Sequence, residues 1–309
     1  MASIDRAAQG APSIDEVVGR VSVWAGLDVE VSPLSGGLTN QNYLVRTEEA
    51  AFVVRIPGAS TELLAVDRRN ERHNAEAAAT TGASPRIVEY LPDVSVMVLE
   101  FIEGETMTGP RLRTPGMPER MAASLRRLHT APRFLQDFDM FRLLEYYLSV
   151  VRDRGVAIPT GYDERMEAIH RMEQALAVNA LPTVPCHNDL LAENYIDDGT
   201  QLWIVDFEYS GNNDPCFELG DTAQECEFHE EARAALCRAY FGREDPVQLA
   251  RMELFAMMAD VGWTLWAAIQ ATISSIDFDF WGWAEDRWAR AGRAMDSPGF
   301  EDLLEAAAR

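Results

Sequence analysis

Val17, Val18, Val21 and Trp24 recur with the spacing of one helix face, and Ser13 with Glu16 forms an S-x-x-E capping box in front of them. The pattern then shortens. Residues 28–32, 42–46 and 51–56 predict strands, with Thr47-Glu48-Glu49-Ala50 as the turn between the last two and Pro57-Gly58 closing the hairpin. Residues 61–81 predict a helix, and 86–90 and 95–101 predict two more strands. The stretch 104–118 holds Gly104, Gly109, Pro110, Pro115, Gly116 and Pro118 and reads as a linker. Beyond it the pattern is helical at 118–130, 138–154, 163–178, 229–241, 246–272 and 281–294. Strand-like pieces at 194–196 and 202–205 interrupt it, and no internal repeat is present. The expected class is α+β: a small β-rich N-terminal lobe over residues 1–103 and a larger, mostly helical lobe over residues 104–309.

Charge narrows the function. Among 309 residues, 50 are acidic and 27 basic, for a net charge of −23, and every basic residue is arginine. So acidic a chain repels phosphate backbones, which argues against a nucleic-acid partner and for cations. Cys186, Cys216, Cys226 and Cys237 form no CxxC pair and no zinc-like spacing, so reduced thiols are expected. The N-terminal residues have no apolar core of a secretory signal, and the apolar window Leu254 to Ile269 is short and contains Asp260. The expectation is a soluble, cytoplasmic protein without membrane insertion.

The chemistry concentrates in His187-Asn188-Asp189-Leu190-Leu191-Ala192-Glu193-Asn194, followed twelve residues after Asn194 by Asp206-Phe207-Glu208. A carboxylate, an amide five positions on and a second carboxylate at a strand end are what phosphoryl transfer requires. One carboxylate aligns or deprotonates the attacking hydroxyl, and the other two groups hold Mg²⁺ on the phosphates. This makes Asp189 the candidate base and Asn194 and Asp206 the candidate metal ligands. Gly36-Gly37 lets backbone N–H groups approach phosphate oxygens, although a plain turn has the same signature. Arg55 lies in the apolar run Phe52-Val53-Val54-Arg55-Ile56. In a chain without lysine, an arginine must supply any phosphate contact.

CHNDLLAENYI and LWIVDFEYSG resemble the choline/ethanolamine kinase branch of the aminoglycoside phosphotransferase superfamily. The resemblance covers nearly the whole chain and implies a bilobal, protein-kinase-like fold and an ATP- and Mg²⁺-dependent kinase. Leu34-Ser35-Gly36-Gly37-Leu38-Thr39-Asn40 resembles the phosphate-covering loop, which would place Gly36, Gly37, Thr39 and Asn40 on the nucleotide. Arg55 falls at the basic strand position, Glu71 at its helix partner, and Glu100 to Ile102 at the adenine-binding hinge. By the same resemblance, His187 supports the loop rather than acting as base.

Trp263, Trp266, Trp281, Trp283 and Trp288 account for five of the seven tryptophans, and Trp263, Trp266 and Gln270 share one helix face. Most aromatic stripes are core, but a quaternary ammonium is also bound by aromatic faces, at about 0.5–2 kcal/mol each. The segment 262–287 resembles the choline-binding region of the family, which would make Trp263, Trp266 and Trp283 a cage and Glu225 its balancing carboxylate. Trp281 and Trp288 are read as core. No basic residue lies between Arg171 and Arg233, against 14 acidic ones, a field suited to a cationic acceptor. The expected acceptor is choline or a related amino alcohol. Ethanolamine, thiamine or an aminoglycoside remain alternatives, as does a non-catalytic module derived from a kinase.

Overall fold

The computed structural model describes residues 11–34, 39–58, 61–274 and 276–309. Five antiparallel strands form the N-terminal sheet: β1 (Glu30–Leu34), β2 (Asn40–Arg46), β3 (Ala51–Pro57), β4 (Ile87–Leu91) and β5 (Val96–Glu100), in the order β1-β2-β3-β5-β4. One face covers a small core of Val45, Phe52, Val54, Ile56, Val96 and Val98, closed by Val17, Val21 and Trp24. The first helix, α1 (Ile14–Val18), has the expected capping box but stops at Gly19. Val21 and Trp24 therefore reach the core from turns, with the Trp24 indole donating to the Val18 carbonyl.

The region 61–81 is not one helix. A 3-10 turn at Thr61–Leu64 is followed by Ala65 at φ 61°, and α2 (Arg68–Ala79) begins afresh where the Asp67 carboxylate accepts the N–H groups of Arg69 and Asn70. Part of the stretch read as linker is ordered as β6 (Glu105–Thr106) and α3 (Gly109–Leu112). The remaining helices are α4 (Met117–Leu128), α5 (Met140–Arg154), α6 (Met166–Ala177), α7 (Pro215–Glu225), α8 (Glu230–Phe241), α9 (Pro246–Ile273), α10 (Phe280–Met295) and α11 (Phe300–Ala307). Short strands β7 (Val184–Cys186), β8 (Tyr195–Asp197), β9 (Leu202–Ile204) and β10 (Gly211–Asn213) complete two small sheets, β10-β7 and β6-β8-β9.

The large core is built on α9, with α5, α7, α10 and α11 packed around it. This helix is long and apolar enough to cross a membrane by composition, yet 94% of its most apolar window is buried inside the protein. Helix α7, which the sequence pattern does not predict, approaches α9 so closely that a Cβ on Gly220 would meet the Met252 carbonyl. It begins at Pro215, directly after Asp214. At the first helical position proline needs no N–H, and the Asp214 carboxylate caps Cys216.

Candidate active site

Three carboxylates and two guanidinium groups form a buried cluster between the sheet, α2 and the segment after β9. The Arg55 side chain leaves β3 on the face opposite the small core and stands 2.5 Å from Asp206, 3.1 Å from Glu71 and 3.1 Å from Glu208. Arg68, at the start of α2, reaches Glu71 at 2.8 Å and Glu208 at 2.5 Å. Burial opposes the charge on Arg55, but Asp206, Glu71 and Glu208 outweigh it and hold the guanidinium protonated. Burial likewise opposes the charge on Glu208, and Arg55 and Arg68 overcome it, bringing its pKa down to about 2. Glu71 and Asp206 are pushed upward, chiefly by burial, with the arginines only partly offsetting it.

Thr39 and Asn40 belong to this cluster: the Thr39 hydroxyl donates to Glu208 at 2.6 Å and the Asn40 amide at 2.7 Å. Both residues assigned to the phosphates thus hold Glu208 here. Gly36 and Gly37 lie outside the described residues. At the expected hinge, the Glu100 N–H donates to the Arg86 carbonyl and the Phe101 N–H to Ala51. The Glu100 carboxylate faces outward on Arg86, and among the described residues the Ile102 N–H has no partner.

The loop after β7 carries His187 to Asn194. His187 is fully buried; Nε2 donates to the Val205 carbonyl at 2.9 Å, and Nδ1 accepts the Asp189 N–H at 3.3 Å. Both ring nitrogens are therefore spent on the loop, and burial lowers the pKa, so the ring is neutral and unavailable as a base. Asn188 and Asp206 both have positive φ, 68° and 75°, a conformation that Asn and Asp tolerate better than most residues. The Asn194 amide donates to the Asp189 carbonyl at 2.7 Å, which leaves its Oδ1 as an acceptor. Asp189 itself is partly buried, and among the described residues no donor reaches its carboxylate. Burial, then Asp206, Glu225 and Glu208, push its pKa well above the carboxylate range, with Arg287 opposing.

The loop is held from behind by α7, whose residues 218, 221 and 225 share one face. The Glu218 carboxylate, fully buried, accepts the N–H groups of His187 and Asn188, each at 2.7 Å. Asp221 accepts the Leu190 N–H and the Trp263 indole N–H, each at 2.9 Å. Neither carboxylate is among the sequence-assigned site residues; their i, i+3, i+7 spacing with Glu225 is the signal that would have found them.

Glu225 does not stand free. It makes a bidentate pair with Arg287 of α10, at 2.5 and 2.6 Å, a partner 62 positions away that the arginine-free stretch before it does not disclose. The tryptophans adjoin this pair. Trp263 and Trp266 are 3% and 5% exposed, and the Trp266 indole donates to the Tyr209 hydroxyl at 2.7 Å. The Tyr209 and Trp263 rings meet edge-on at 5.0 Å, and Trp266 and Trp283 at 5.7 Å. Trp283 is half-buried, and the Arg287 guanidinium lies 3.9 Å from its ring centroid. Trp288 is core, stacked on Tyr162 at 4.4 Å.

Comparison with known proteins gives a consistent set. Residues 30–255 match the model of the phosphotransferase enzyme family. Ethanolamine kinase 2 of Mus musculus is 28% identical over 303 residues, covering 86% of this chain and 76% of that protein. Protein LicA of Haemophilus influenzae is 27% identical over 246 residues, covering 76% of this chain and 72% of that protein. A solved structure of a choline/ethanolamine kinase family protein from Mesorhizobium loti is similar at TM-score 0.84 and 36% identity, covering 95% of this chain and 98% of that one.

Proposed function

The chain belongs to the phosphotransferase enzyme family, and from that membership we propose that it transfers the γ-phosphate of ATP to the hydroxyl of choline or a related amino alcohol. One observation carries the reading. The Asp189 carboxylate, which no donor among the described residues reaches, is within electrostatic reach of both Asp206 and Glu208 from the arginine cluster and Glu225 and Arg287 beside the tryptophans. A hydroxyl held at Asp189 would have the phosphates on one flank and its own cation on the other, the arrangement in-line transfer needs.

The residues fit the remaining roles. Asn194 and Asp206 offer oxygen donors suited to Mg²⁺, and such an ion, when bound, neutralises phosphate charge. Asn194 has Oδ1 turned away from its own hydrogen bond, and Asp206 is the least buried carboxylate of its cluster, 25% exposed. Arg55 would contact the phosphates, with Glu71 fixing its position. The hinge at Glu100 and Ile102 would take adenine, for which the Ile102 N–H, without a partner among the described residues, is a donor. Trp263, Trp266 and Trp283, with Tyr209, would form the wall against the cation.

Ethanolamine is the second reading, on one observation: Arg287 already covers the Trp283 face, leaving fewer faces for a trimethylammonium group. ADP release from Mg-ATP with choline, ethanolamine, thiamine and kanamycin tests the proposal, with Asp189→Ala as control. Turnover with choline or ethanolamine that is lost in the variant supports it. Turnover only with kanamycin or thiamine would overturn the acceptor, and turnover unaffected by the variant would overturn the role of Asp189.

A further inference from the structure

Asp189, Asp221 and Glu225 are close enough for their charges to act on one another, and Asp260 is close enough to act on Glu225. Two of the four are neutralised within the chain. Glu225 holds both arms of Arg287, and Asp260 takes the Arg290 Nε at 2.8 Å with Arg287 at 3.5 Å. Asp189 is assigned to the hydroxyl. That leaves Asp221.

Asp221 is fully buried, and its two oxygens are fixed by the Leu190 N–H and the Trp263 indole. Among the described residues no arginine or histidine lies within ion-pair distance of it, and Arg287, whose charge is in electrostatic reach of it, is committed to Glu225. A buried carboxylate without a counter-charge is costly, and an apolar pair of the same shape would avoid that cost. Burial, then Glu225 and Asp189, accordingly push its pKa well above the carboxylate range, and a cation brought beside it would favour the ionised form again. The indole that Asp221 holds belongs to the proposed cation wall, and the backbone it holds is next to Asp189.

We infer that Asp221, rather than Glu225, is the carboxylate that answers the acceptor's positive charge, and that it ties occupancy of the aromatic wall to the position of the catalytic loop. This rests on the reading of the acceptor as a cationic alcohol. Asp221 is then both a positioning residue and a determinant of specificity: it distinguishes a cation from a neutral molecule of the same shape.

The test compares each cation with its neutral isostere, choline with 3,3-dimethylbutan-1-ol and ethanolamine with propan-1-ol, in the full chain with Mg-ATP. Wild type should prefer the cation at least tenfold in kcat/KM. Asp221→Asn and Asp221→Ser remove the charge while filling the space differently. Whichever folds should lose at least tenfold of that preference, mainly through KM for the cation, with KM for ATP within about twofold. Asp221→Glu, which restores the charge, should recover the preference even at lower kcat. An unchanged cation preference in a folded neutral variant, with both acceptors slowed alike, would make Asp221 a structural clamp only and overturn the inference. So would a wild-type preference below about threefold. Wild type that turns over neither cation overturns the acceptor reading as well, which separates the two failures.

Discussion

Replacing Glu208 by glutamine isolates the cluster that joins the sheet to the rest of the chain. The carboxylate is 5% exposed and receives Thr39 and Asn40 from the start of β2, Arg68 from α2 and Arg55 from β3. The amide keeps one acceptor oxygen, presents an NH₂ group to donors and leaves two guanidinium groups short of a charge. Two independent routes give the cost. Breaking a buried pair by neutralising one partner destabilises by about 3–5 kcal/mol. A pKa lowered from 4.5 to about 2 corresponds to about 3 kcal/mol at pH 7. The sign follows from the depressed folded-state pKa: this stability is fully present above 4.5 and is lost as pH falls toward 2, with roughly 1 kcal/mol left at pH 3. Urea unfolding of wild type and E208Q, in EDTA and without nucleotide, should therefore show a gap near 3 kcal/mol at pH 7 that narrows toward pH 3. The melting temperature should fall by roughly 5–10 °C at pH 7. A gap under about 1 kcal/mol, or one that stays constant across that pH range, would refute the assignment of Glu208 as an electrostatic tie.

Four further outcomes are expected. Asp189→Asn should lower kcat by about 10²–10⁴-fold while ATP still binds by calorimetry. In wild type, kcat should decline on acidification with a midpoint well above pH 4, because a raised pKa protonates Asp189 early and a protonated carboxyl cannot accept the hydroxyl proton; a midpoint near 4 would contradict this. Glu218→Gln should cost about 2–3 kcal/mol in unfolding and slow turnover at least tenfold with KM for ATP unchanged, since it loosens the N–H groups of His187 and Asn188 but touches no nucleotide contact. Arg287→Met should destabilise by about 3–5 kcal/mol by leaving Glu225 buried and unpaired, and adding Glu225→Gln should recover part of that loss in the double variant.

The α+β class and most elements follow from periodicity alone, because strands with apolar alternation and helices with apolar stripes announce themselves locally. The 187–194 loop stands out for a different reason: its polar residues, and Asp206 after them, are near neighbours in the chain. Arg55 is legible as a charge in an apolar run. What periodicity does not contain is pairing at a distance. Nothing local to Glu208 shows that it meets Arg68, 140 positions away. Nothing local to Glu225 shows that Arg287 takes it, so a carboxylate read as free proves to be neutralised. Helix α7 escapes because its face toward the loop is acidic while its other sides are buried, and that gives no amphipathic stripe. Its charged residues look like ordinary surface until the loop they support is placed against them.

That helix also sets how the chain can change without failing. Glu218, Asp221 and Glu225 keep their three tasks only while they remain in phase, and each added residue turns a helix by about 100°. A one-residue insertion between Glu218 and Asp221 would swing the last two off the loop and the aromatic wall together, and a deletion would do the same in the opposite sense. Substitution at single positions of α7 is graded in its effect, whereas a change of length is not. Natural or laboratory variation in this family of surfaces should therefore place its insertions before Asp214 or after Glu225, and leave the eleven residues of the helix uninterrupted.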